Sequence, residues 1–68
     1  MTLAEYLLIE DADRLAKATG TKAVYLMQII SGRRKPSAKL SRRIHDATNG
    51  VVTLESLRPD IWGGLPNK

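Results

Sequence analysis

A small residue, Ala16, stands four positions before a glycine, Gly20. Leu26 and Ile29 follow at helical spacing, and then come Ser31-Gly32 and three consecutive cations, Arg33-Arg34-Lys35. Two short helices cross closely only where a side chain at their contact is small. The chain between them reverses sharply only where one residue tolerates positive φ, which glycine does at low steric cost. The spacing predicts a helix-turn-helix, a unit whose second helix is shaped to lie in the major groove of DNA. The basic tract after it supplies the phosphate contacts such a unit needs.

Capping and periodicity extend this reading along the chain. Thr2 with Glu5 is a capping box that starts a first helix at Leu3, with Leu3, Leu7 and Leu8 as its buried face and Tyr6 at the edge. Asp11 caps a second helix from Ala12 to about Thr19, with Leu15 and Ala16 facing inward and Gly20 ending it. Thr21 is expected to cap the third, which runs to about Ser31 and packs Leu26, Ile29 and Ile30 inward before Gly32 stops it. Pro36-Ser37 opens a fourth helix whose apolar stripe is Leu40, Ile44 and Ala47. Asn49-Gly50 reads as its end rather than as a hairpin turn, because residues 44–48 do not alternate as a strand would. Thr53 caps a last helical turn through Leu57, and Pro59 forbids its continuation by disfavouring helical geometry at Arg58.

With 68 residues the chain has room for one domain and a small core. It contains no cysteine to reinforce that core by disulfide or thiolate metal site, and dimerisation would therefore help. No apolar run nears the roughly 20 residues that span a bilayer, and the N-terminal residues lack the basic region of a signal peptide. A soluble cytoplasmic protein with no membrane partner is expected. The net charge of +4 is unevenly spread. Residues 1–20 carry two cations against four acids, residues 21–45 seven cations and no acid, and residues 46–68 two cations against three acids. Such segregation points to a polyanion partner, double-stranded DNA.

The reading surface is expected on the exposed face of the third helix. Its first residues and those a turn later are Lys22, Ala23 and Val24, then Met27 and Gln28, with Ser31 further on. Lys22 can donate to guanine O6 or N7, and Gln28 can bond adenine in bidentate fashion. Ala23, Val24 and Met27 can touch thymine methyl groups, although Val24 and Met27 also suit a core or dimer contact. Tyr25 either bonds a phosphate or packs. Phosphate contacts are expected from Arg33, Arg34 and Lys35, from Ser37 and Lys39 at the start of the fourth helix, and from Arg42 or Arg43. Leu57, Ile61 and Trp62 form a candidate dimer contact, the alternative being that Trp62 only closes the monomer core. His45 has no second histidine or cysteine beside it, and the acids at 10, 11 and 13 do not follow a calcium-loop pattern. No cofactor, metal or enzymatic activity is expected.

Ala16 with Gly20, the exit Ser31-Gly32-Arg33-Arg34-Lys35-Pro36, Ala47-Thr48-Asn49-Gly50, Val52-Thr53 and the close Leu57-Arg58-Pro59-Asp60-Ile61-Trp62 together resemble the Cro-like, YdaS-type regulators of phages and prophages. The resemblance spans Met1 to Trp62, with the Arg-Pro-Asp-Ile-Trp close as its most specific piece. It implies an all-α fold, a compact helix-turn-helix bundle of about five short helices of the lambda repressor and Cro kind. It also implies a transcriptional repressor, often a homodimer on a palindromic operator, in a bacterial cell. The domain would cover residues 1–62, with 63–68 a flexible tail. The chain departs from the family at Ala23 and Val24, where polar residues are common, and at Thr21, where a branched aliphatic is. An antitoxin-like component or a protein-interaction module with weak DNA binding is the alternative.

Overall fold

The computed structural model describes residues 1–63 as five helices: α1 (Leu3–Tyr6), α2 (Ala12–Thr19), α3 (Ala23–Ile30), α4 (Ala38–Ala47) and α5 (Leu54–Leu57). Four of the five open on a side chain that satisfies an otherwise orphaned amide of the first turn. Thr2 and Glu5 form the reciprocal box of α1, with the Glu5 amide donating to Thr2 Oγ1 at 3.2 Å and the Thr2 amide to Glu5 Oε1 at 2.8 Å. Asp11, Ser37 and Thr53 accept from the amides of Asp13, Leu40 and Ser56 in the same way.

The ends of α2, α3 and α4 share one device. A left-handed residue, Gly20 (φ 74°), Gly32 (φ 81°) or Asn49 (φ 55°), folds the chain back so that two amides reach the last free carbonyls. Thr21 donates to Ala16 at 2.9 Å, Arg33 to Gln28 at 2.9 Å and Gly50 to His45 at 2.8 Å. The reversal after Gly20 brings α3 onto α2, while α2 also packs on α4, and α5 closes against α4. Between them lie Leu3, Leu15, Ala16, Leu26, Leu40, Ile44, Val52 and Leu57, all buried. The fold is therefore the all-α helix-turn-helix bundle that the caps and turn glycines predict, with no strand among the described residues.

Several side chains fall elsewhere than expected. Leu8 is 84% exposed, because α1 ends at Tyr6 and the following turns carry Leu8 outward. The residue that starts α3 is Lys22, not Thr21: Thr21 lies within the turn that closes α2, its amide donating to the Ala16 carbonyl, and Lys22 makes no side-chain cap bond. On α4, Ala47 is exposed, and the buried stripe is Leu40, Ser41, Ile44 and Thr48. At 100° per residue that stripe is centred between Leu40 and Ser41, so two hydroxyl residues take places where a hydropathy pattern looks for aliphatics.

Thr48 is buried for a reason that hydropathy does not reveal. Its Oγ1 donates to the Ile44 carbonyl at 2.9 Å and accepts from the Val52 amide at 3.1 Å. The second bond satisfies an amide that folding takes out of water, and it lets Val52 lie fully buried beneath the reversal. Thr19 repeats the first half of this arrangement at the end of α2, donating to the Leu15 carbonyl at 2.9 Å. The expected tail at 63–68 lies outside the described residues apart from Gly63.

Candidate nucleic-acid interface

The outward face of α3 is bounded by what its other faces must bury. Leu26 is wholly enclosed, and Ala23, Tyr25, Ile29 and Ile30 pack against the core on either side of it. The rest of the helix is left to solvent: Val24 is 61% and Met27 53% exposed, and Lys22 and Ser31 are exposed at its two ends. Gln28 lies half-buried at one edge of this face. Ala23, expected among the base-reading residues, is half-buried and packs against the core. The face is apolar at its centre and polar at its ends.

Cations flank both ends of α3. At the exit, the reversal around Gly32 sends Arg33, Arg34 and Lys35 into solvent. Arg34 folds back over the helix: its Nε donates to Gln28 Oε1 at 2.8 Å and its guanidinium carbon stands 5.6 Å from the centre of the Tyr25 ring. That distance is within cation–π range. Tyr25 thus packs on the core with one side of its ring and carries Arg34. At the start of α3, Arg43 reaches across from α4, so that a Cβ placed on Gly20 would lie 3.7 Å from its Nη1. Lys39 and Arg42 are exposed on α4, and the Ser37 hydroxyl is occupied as an acceptor by the Leu40 amide.

The basic loop is held from below by Arg58, which lies outside the acid-free segment. Arg58 donates Nη1 to the Pro36 carbonyl at 2.9 Å, and Asp60 holds the same guanidinium through Nε at 2.9 Å and Nη2 at 2.6 Å. The Arg-Pro-Asp sequence therefore latches the C-terminal segment to the loop that carries Arg33, Arg34 and Lys35. Pro59 between the two charges stops the helix and leaves them free to pair. Of the expected dimer-contact residues, Leu57 belongs to the core of its own chain, being 7% exposed, while Ile61 and Trp62 are half-buried. Leu57 is the one buried residue of α5.

The Arg58 hydrogen bonds hold the Asp60 carboxyl at about 2, below its usual 3.8. The folded chain thus binds this proton less readily than the unfolded chain. The latch stabilises the fold above about pH 4, and its contribution fades as pH falls toward 2. Thermal melts of the native chain and Asp60→Asn should differ above pH 4 and converge near pH 2. A difference that stays constant across that window would contradict the latch.

Among the described residues, no helix is long and apolar enough to cross a membrane, and no three metal-ligating side chains cluster. Over 53 residues, covering 78% of this chain and 80% of the relative, the sequence is 34% identical to a prophage transcriptional regulatory protein of Escherichia coli K12. No protein-family model matches the chain, and no solved structure matches it.

Proposed function

Since the chain belongs to the family of prophage transcriptional regulatory proteins, we propose that it is a Cro-type repressor, similar to the YdaS-type regulators, that binds a palindromic operator in double-stranded DNA as a pair of copies. In this reading α3 enters the major groove. Lys22, Val24, Met27, Gln28 and Ser31 face base edges, and Arg33, Lys35, Lys39 and Arg43 contact phosphates. The observation that carries the reading is the exposed face of α3 lying between two groups of cations, in a segment without a single acid. Phosphate neutralisation supplies affinity and orientation, while the outward face of the helix supplies sequence preference.

One copy offers a small contact area, so two are needed for tight specific binding. Ile61 and Trp62, near the end of the described residues, are the proposed contact between copies. Selection of bound duplexes from a random-sequence pool tests this. The recovered DNA should contain two half-sites related by two-fold symmetry, with centres about 34 Å apart or a multiple of that. A single undivided element bound by one copy would overturn the paired arrangement. A pool without enrichment would favour the protein-interaction alternative, which the apolar Val24 and Met27 already suit.

A further inference from the structure

Gln28 and Arg34 together present an edge of one chemical character. A guanidinium has only N–H donors, so the Gln28 amide must turn its oxygen toward Arg34 Nε, as the 2.8 Å bond records, and its Nε2 points away. With Nε spent, Arg34 keeps its two Nη groups as an open fork, and Tyr25 beneath it limits the plane in which that fork can lie. Apart from the second lone pair of Gln28 Oε1, what the pair shows to a partner is N–H donors.

The major-groove edges of the purines respond differently to such a surface. Guanine presents two acceptors, O6 and N7, whereas adenine pairs its N7 with an amino donor and requires an acceptor opposite. The Gln28 oxygen that would meet an adenine amino group is turned toward Arg34 and already accepts one bond from it. We infer that Gln28 and Arg34, seated on Tyr25, act as one reading unit that selects guanine over adenine, with Gln28 a positioning residue for Arg34 rather than an independent reader of adenine. The inference rests on the proposal that α3 enters the major groove. A phosphate could accept from the same donors, but it would carry no base preference, and the two cases separate in binding measurements.

The test is selection from a random duplex pool by the native protein and by Arg34→Ala, Arg34→Lys and Gln28→Ala, each first confirmed as folded by its thermal melt. The native pool should contain a guanine that Arg34→Ala and Gln28→Ala lose, at the same position, and that Arg34→Lys retains only in weakened form. Replacing that guanine by adenine in the best duplex should weaken the native protein about 5- to 150-fold, and Arg34→Ala and Gln28→Ala little. Arg34→Lys keeps its charge and a donor but not the planar fork, so it should keep the salt dependence with a weaker guanine preference. Gln28→Ala losing an adenine that Arg34→Ala retains would overturn the unit. So would Arg34→Ala weakening all duplexes alike with the guanine preference intact, the signature of a phosphate contact. An enriched native pool with no shared guanine refutes the pair alone, whereas no enrichment refutes the major-groove reading and the pair with it.

Discussion

Leu26→Ala should destabilise the domain by about 2–5 kcal/mol, the usual range for deleting a buried leucine side chain when its surroundings cannot collapse. Leu26 is fully buried at the centre of the inward face of α3, with Leu15, Ala16 and Ile44 among the core residues around it. At roughly 0.05–0.15 kcal/mol per residue, a chain of this length holds only a few kcal/mol in reserve. The midpoint should fall by about 4–8 °C for each kcal/mol lost, and the larger losses would leave much of the protein unfolded at 37 °C. Thermal melts and denaturant titrations measure this. A loss below about 1 kcal/mol would mean that Leu26 is not enclosed as described.

Ala16→Leu should act through the opposite defect. Ala16 is 3% exposed and belongs to the core between α2, α3 and α4. Three added carbons on a residue this buried would push α2 and α3 apart, and overpacking of a core site costs about 1–3 kcal/mol. The Ala16 carbonyl also receives the Thr21 amide that closes the turn, so a shift of α2 would strain the reversal as well as the packing. The variant should melt lower, and where it still folds, its affinity for DNA should fall because α3 is displaced. An unchanged midpoint would place Ala16 away from the crossing.

Much of the fold was legible because its signals are local. A cap acts within three residues, as at Asp11 or Ser37, and a left-handed stop acts across six, as at Gly20, Gly32 and Asn49. The misplacements arose where one residue had two uses. Thr21 is a good cap by type, but it falls inside the turn that closes α2, and Lys22 takes the cap position. Thr48 and Ser41 are polar by type and buried by position, which apolar periodicity does not register. The basic flanks of α3 could be read from charge order alone, since no acid interrupts residues 21–45. The Gln28–Arg34 bond could not, because it depends on how far the reversal at Gly32 brings the chain back over the helix. Nor could the Arg58–Pro36 contact, which joins positions 22 residues apart.

The central claim is that the exposed face of α3 lies against DNA, and an acid placed on that face tests it most directly. Val24 is 61% exposed, so Val24→Glu should leave the thermal midpoint nearly unchanged. Val51, 44% exposed on the connection between α4 and α5, gives a control with the same change of charge. Titrated against the duplex that the native protein selects, Val24→Glu should lose about 100-fold or more in affinity, since a carboxylate facing DNA meets like charge and unpaired acceptors. Val51→Glu should bind nearly as the native chain does. Native affinity in a folded Val24→Glu protein would contradict the account, because it would place the DNA on another face.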